Sequence, residues 1–296
     1  MVRDFWQLDA APFDGSLEPA SFYTGAAQEE ALARLEWLVD ERQRFALVVG
    51  AEGHGKSHLA AMAVRRLAGL GAETAILSLG GLSPGDWLEM LLARLPLDAA
   101  SRVEPLRSWQ KLENRLRENT LMERTTALVF DDIDRAPADS IDGIMRLIGA
   151  PEARFARVAV VATATPTGAA ALPSGLRERA AVRVGLEPWD SRDVTGFLVG
   201  ALARVGGRDD LFTPEAAETL ARFTGGVPRV VARLAHLALA AAAGDRLGRV
   251  DAATVERAWR ELVPDAATPS RTHMADDDSA EPVANPRVRV VRRLFG

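Results

Sequence analysis

Cysteine is absent from all 296 residues. Neither disulfides nor thiolate metal sites can organise this fold, which suits a reducing compartment. Histidine is scarce, and His54, His58, His236 and His273 form no cluster of metal-ligand spacing. No apolar run approaches the roughly 20 residues of a membrane helix. The longest alanine-rich stretch, 230–243, is interrupted by Arg233 and His236 and reads as a core helix. The first residues, Met1 to Trp6, carry no signal-peptide pattern. The expected location is therefore cytoplasmic, without a membrane span. A net charge of −5 leaves no overall positive field to attract nucleic acid. The length suits one large domain or two smaller ones.

Lysine is the most informative scarcity. Of 36 basic residues only Lys56 and Lys111 are lysines, and Lys56 stands inside the octet Gly50, Ala51, Glu52, Gly53, His54, Gly55, Lys56, Ser57. This is a complete phosphate-binding loop. An apolar, β-branched run (45–49) precedes it, and apolar residues at helical spacing, Leu59 to Leu67, follow. The motif thus sits between a strand and a helix, as its chemistry requires. Its glycines let successive N–H groups turn toward phosphate oxygens, and the N-terminus of the following helix, with His58 in its first turn, adds positive character. A compact ammonium fits inside such a ring better than a planar guanidinium. Lys56 is expected to reach the β- and γ-phosphates of ATP, and Ser57 to place its hydroxyl on Mg²⁺.

Further strands are expected at 73–79, 126–130, 157–163 and 181–184, with helices at 84–95, 108–121 and 140–148. Alternation of this kind implies an α/β fold with a mostly parallel sheet covered on both faces. After Asp190 the pattern is helical only: 191–205, 214–223, 228–243 and 252–262. The expected organisation is a nucleotide-binding core at 1–187 and a helical domain at 188–263. An acidic flexible linker follows at 264–286, then a basic–apolar tip at 287–296. The tip reads either as a solvated end or as a peptide that docks on a partner or on the chain's own body.

A phosphate loop needs a metal carboxylate. Asp131 leaves the third strand roughly 75 residues after Lys56 and is placed to hold Mg²⁺ opposite Ser57. Asp132 follows where a water-activating carboxylate is expected, and Asp134 reads as a cap of the next segment or a solvent-facing residue. Thr163 and Thr165 end the fourth strand. Thr163, preferred as nearer the strand end, is expected to orient the attacking water.

With these residues in place, the chain resembles an AAA+ ATPase, and within that group the ExeA-type (general secretion pathway A) ATPases. The likeness spans roughly residues 3–262. It runs through Phe5-Trp6-Gln7-Leu8, Ala11-Pro12-Phe13, Phe22-Tyr23, the stretch 29–35, the phosphate loop and Asp131-Asp132. It continues through Leu176-Arg177-Glu178-Arg179, Leu186-Glu187-Pro188-Trp189, Leu211-Phe212-Thr213 and Thr224-Gly225-Gly226-Val227-Pro228-Arg229. The resemblance implies a P-loop NTPase core with a five-stranded sheet, an all-helical AAA+ lid, and ATP with Mg²⁺ between them. It also implies a homo-oligomer in which one copy places an arginine in its neighbour's site. Arg229 matches the lid arginine that contacts the γ-phosphate, and Arg177 and Arg179 match the segment of a trans-acting finger. Tyr23 lies where the family's segment lines the adenine pocket.

Many relatives carry glutamate after the metal aspartate; Asp132 is one methylene shorter, and a catalytic group displaced by about 1 Å can cost on the order of 10²-fold in rate. The secretion ATPases are also expected to continue into a membrane segment and a peptidoglycan-binding region, which these residues do not contain. The leading expectation is an ATPase that switches or remodels a protein partner. One alternative is an ATP-gated DNA-binding helper of the transposition type. It would use the lid arginines Arg222, Arg229, Arg233, Arg246, Arg249, Arg257 and Arg260, although acidic residues interleave with them. Another is a nucleotide-bound scaffold with little turnover.

Overall fold

The computed structural model describes residues 2–13, 21–97, 107–149 and 157–262. The linker 264–286 and the tip 287–296 expected from sequence lie outside the described residues. Five strands, β1 (Phe45–Gly50), β2 (Glu73–Ser78), β3 (Thr126–Asp131), β4 (Val158–Ala164) and β5 (Val182–Leu186), form one sheet in the order β2-β3-β4-β1-β5. Every pairing is parallel. All carboxyl ends therefore lie along a single edge, where an open α/β sheet collects its ligands.

Alternation along each strand divides the core. Phe45 and Leu47 of β1 join Leu77, Leu128, Phe130 and Val160 on one face. Helices α4 (Asp86–Arg94), α5 (Ser108–Leu121) and α6 (Ala138–Gly149) cover that face through residues such as Leu91, Leu112, Leu116 and Ile144. Ala46, Val48, Val129 and Val161 point the other way, against Leu32 and Leu35 of α2 (Ala26–Asp40) and Leu59 and Ala63 of α3 (Lys56–Gly69). With helices on both sides, the strand sequences read as continuous apolar runs. Each fully buried Leu or Phe contributes roughly 1.5–3 kcal/mol, so the middle of the sheet is a rigid base for its edge.

The edge strand β2 is held by charge. Glu73 is only 7 % exposed, and its carboxylate accepts from Arg115 of α5, Nε to Oε1 at 2.9 Å and Nη2 to Oε2. A buried carboxylate is tolerated because it is paired and hydrogen-bonded.

Past β5 the described elements are all helices. Before it, α7 (Pro166–Ala171) and α8 (Ser174–Arg177) fill the β4–β5 connection. Asp190 caps α9 (Ser191–Ala203) by accepting from the Asp193 N–H at 2.8 Å. Then α10 (Pro214–Thr224), α11 (Pro228–Gly244) and α12 (Ala252–Leu262) close around a separate apolar core. That core also contains Leu8 and Phe13. Phe13 lies between Phe197 and Phe212, at ring-centroid distances of 5.6 and 6.0 Å. Next to α1 (Val2–Trp6), the Trp6 indole N–H donates to the Leu239 carbonyl at 3.1 Å, and the Asp9 N–H to that of Val205 at 3.0 Å. The sequence placed residues 1–187 in one unit; residues 2–13 instead pack with the helical unit. Helices already cover both sheet faces, whereas α9 and α10 leave an apolar groove that Phe13 fills.

Arg115→Ala leaves Glu73 buried, with Arg124 at 3.9 Å as its remaining cation. Denaturant unfolding of this variant is expected to show a loss of about 3 kcal/mol, and Arg115→Lys a smaller one.

Candidate nucleotide-binding site

The carboxyl edge of the sheet opens into a cleft of about 800 Å³ between the α/β core and the helical unit. Its floor is the loop that follows β1. Gly53 and Gly55 take left-handed backbone, φ 81° and 86°, which glycine adopts without a steric penalty. Gly53 has a second reason to lack a side chain: a Cβ there would stand 2.9 Å from Val227 Cγ1. Glu52, Gly53, His54, Gly55, Lys56, Ser57 and His58 all line the cleft, as the motif predicts. Gly50 and Ala51 stand behind it. Their carbonyls accept from Lys56 Nζ at 3.0 and 3.3 Å.

Lys56 is 7 % exposed, and among the described residues it forms no ion pair. Hydrogen-bonded only to neutral carbonyls, this buried ammonium has no directly paired counter-ion. That is the chemistry of an anion cradle, and the donor set fits a nucleotide phosphate.

Asp131 ends β3 and is likewise 7 % exposed. One of its oxygens accepts from the Thr163 hydroxyl at 2.5 Å, and that hydroxyl oxygen accepts from the Asp132 N–H at 2.9 Å. Thr163 is fully buried in β4 and is not part of the cleft wall. Expected to orient a water, it instead joins the two aspartates across neighbouring strands, its donor spent on Asp131. Thr165 does line the cleft, but its hydroxyl donates to Asp134 at 2.6 Å and accepts from Gly168 N–H at 3.0 Å. Asp134, read as a cap or a solvent-facing residue, thus braces the end of β4.

Asp132 reaches the cleft from left-handed backbone, φ 56° and ψ 49°, a region that Asp and Asn enter more readily than other side chains. Partial burial and then the neighbouring Asp131 push its carboxyl above the ordinary aspartate range, opposed by Lys56. It is the more basic for that.

The roof is the turn between α10 and α11. Gly225 ends α10 in left-handed backbone and Pro228 opens α11, as expected from the Gly-Gly-Val-Pro run. At Gly226 a Cβ would come within 2.0 Å of the Trp189 carbonyl oxygen, while the Trp189 N–H donates to the Gly226 carbonyl at 2.8 Å. The Arg229 backbone N–H donates to the Gly53 carbonyl at 3.2 Å, so the roof rests on the floor. The Arg229 guanidinium lines the cleft and makes no hydrogen bond or ion pair among the described residues.

The far end is aromatic. Tyr23 packs on Trp189 and Phe197 at 5.2 and 6.3 Å and donates to Asp193 at 3.3 Å. Burial and Asp193 push its hydroxyl up to about 12, so it remains a donor at neutral pH. Arg177 and Arg179 are exposed and are not part of this chain's own cleft wall; Arg179 donates to the Gly175 carbonyl at 2.7 Å. Sequence reasoning missed Arg135, Arg233 and His236, which also line the cleft. The last two follow Arg229 at i+4 and i+7 on α11, a helical spacing that was legible once the helix was assigned.

A family model described as an AAA domain matches residues 39–170. The chain is 25% identical over 248 residues to the general secretion pathway protein A of Aeromonas hydrophila, a match covering 82% of this chain and 45% of that protein. The chain thus spans less than half the length of that relative. Among solved structures, ORC2 of Aeropyrum pernix (ADPNP-ADP complexes) superposes with a TM-score of 0.63 at 16% identity, covering 86% of this chain and 72% of that one. Cdc6p of Pyrobaculum aerophilum gives 0.64 at 14%, with 86% and 71% covered. The RuvB Holliday junction branch migration motor of Thermotoga maritima gives 0.56 at 17%, with 81% and 70% covered. Together these likenesses establish the fold. No helix among the described residues is long and apolar enough to cross a membrane.

Two substitutions test this geometry. Ionised Asp132 is disfavoured in the folded chain, so Asp132→Asn, which tolerates the same backbone, is expected to raise the melting temperature at pH 7. The sign reverses nowhere, but the gain fades as pH falls through the raised carboxyl value and vanishes below the ordinary 3.8; a melting series from pH 3 to 8 checks it. Gly226→Ala should cost about 2 kcal/mol or more through its left-handed backbone and the Trp189 carbonyl. Chemical denaturation followed by tryptophan fluorescence reads that loss.

Proposed function

We propose that the chain, which an AAA-domain model matches over residues 39–170 and which resembles general secretion pathway protein A, is an AAA+ P-loop ATPase that binds and hydrolyses Mg-ATP to switch or remodel a protein partner. The observation that carries this reading is the pair of buried charges at one sheet edge, Lys56 and Asp131, beneath a lid arginine whose backbone rests on the loop. When bound, Mg-ATP supplies a transferable γ-phosphoryl group and a cation that neutralises its oxygens. Lys56 and the loop N–H groups would hold the phosphates, and Ser57 and Asp131 the metal. Asp132 takes the proton of the attacking water, a task favoured by its raised carboxyl value. Thr163 fixes the separation of the two aspartates. Arg229 approaches the phosphates from the lid, and the walls around Tyr23 receive the base.

Arg177 and Arg179 lie exposed outside this chain's own cleft, where a neighbouring copy's site could meet them, and a homo-oligomer is the proposed active form. The DNA-helper reading has weaker support. Of the lid arginines it would use, Arg222 pairs with Glu256, Arg249 with Asp210, Arg257 with Asp245, and Arg260 approaches Glu256 at 4.0 Å.

Steady-state phosphate release with Mg-ATP, measured across a protein concentration series beside Lys56→Ala, tests the proposal. The rate per subunit should climb with concentration, and Lys56→Ala should lower it by about 10²-fold or more. Tight ATP binding with no turnover above that control would replace the ATPase by a nucleotide-bound scaffold.

A further inference from the structure

A closed ring of contacts joins the phosphate loop, the end of β5 and the α10–α11 turn. Leu186, the last residue of β5, lies beside Gly50 in the β1–β5 register. Three residues on, the Trp189 N–H donates to Gly226 at 2.8 Å, and three residues past Gly226 the Arg229 N–H donates to Gly53 at 3.2 Å. The neighbour of Gly53 closes the ring: His54 Nδ1 meets the Leu186 carbonyl at 3.1 Å across 132 positions of sequence. A carbonyl only accepts, so Nδ1 carries the proton. Every other hydrogen bond in this ring is backbone to backbone. The His54 link is the one made by a side chain, and thus the one that a substitution can remove.

The ring surrounds the place where the core hands over to the lid. Residues 187–189 lead from β5 to the Asp190 cap of α9, and Gly226 packs directly on that stretch. A loop that changes shape around phosphate moves Gly53 and His54 together. Gly53 pulls on the first turn of α11, and His54 on the start of the junction. With both links, the lid turn and the junction move as one body with the loop; with Gly53 alone, only α11 is held.

Resting on the nucleotide reading above, we propose that His54 is a positioning residue whose side chain transmits the state of the phosphate loop to the core–lid junction. It acts through Leu186, not on the reacting atoms.

The test is hydrogen exchange on the full chain, with the Trp189 and Arg229 amides as reporters and the Val129 amide, in the middle of β3, as internal reference. His54→Leu keeps the bulk and removes the donor. His54→Asn keeps an N–H at the same position along the side chain. In the nucleotide-free protein, His54→Leu should speed exchange at Trp189 by about tenfold, with Arg229, still held by Gly53, and Val129 unchanged, and His54→Asn should keep Trp189 within about twofold of wild type. Equal Trp189 rates in His54→Leu and wild type would overturn the proposal, as would a failure of His54→Asn to rescue. With Mg-ATP added, wild type should gain protection at the loop and at both reporters, and His54→Leu at the loop and Arg229 but not at Trp189. A wild-type loop that gains no protection would sink the nucleotide reading while leaving the nucleotide-free comparison to decide the role of His54.

Discussion

Two opposite charges are kept out of water at one edge of the sheet without being allowed to neutralise each other. Lys56 is satisfied by the carbonyls of its own loop, and Asp131 by the hydroxyl of Thr163 from the adjacent strand. Desolvating either charge is costly, so each depends on well-placed hydrogen-bond partners in rigid surroundings. That stiffness comes from β1, β3 and β4, which are buried almost throughout and packed on both faces. The parallel register then sets the three strand ends beside one another.

The aspartates illustrate how a strand end becomes a site. Asp131 is the last residue in register with β2, and Asp132 immediately turns into left-handed backbone. The turn sends two successive carboxylates in different directions, one into the sheet edge and one into the cleft. Thr163 touches both residues and so holds the angle between them. Asp134 and Thr165 repeat the device one step further out, bracing the exit of β4.

Much of this was legible in the sequence because it depends on local pattern. Strand–loop–helix context placed the glycine-rich loop between β1 and α3, apolar runs located all five strands, and Gly225, Gly226 and Pro228 marked the turn between α10 and α11. What escaped depends on contacts between distant segments. Strand order is invisible when every crossover is a helix, so the neighbour relation that makes Thr163 a brace for Asp131 had no local signature. Phe13 finds its partners Phe197 and Phe212 some two hundred residues away, and nothing near Phe13 distinguishes a lid residue from a core residue. The His54–Leu186 contact is of the same kind.

The placement of residues 2–13 within the helical unit has a mechanical consequence. Residues 2–13 pack in that unit, α2 and the sheet follow in sequence, and the chain is back in the helical unit after β5. Two covalent crossings therefore join the bodies, and they lie side by side, since Tyr23 on the first touches Trp189 on the second at 5.2 Å. A body attached at one point can swing and twist freely; attached at two, it can only rotate about the line between them. Were the helical unit to move as the proposed lid, that rotation is the arc its two neighbouring crossings would leave it.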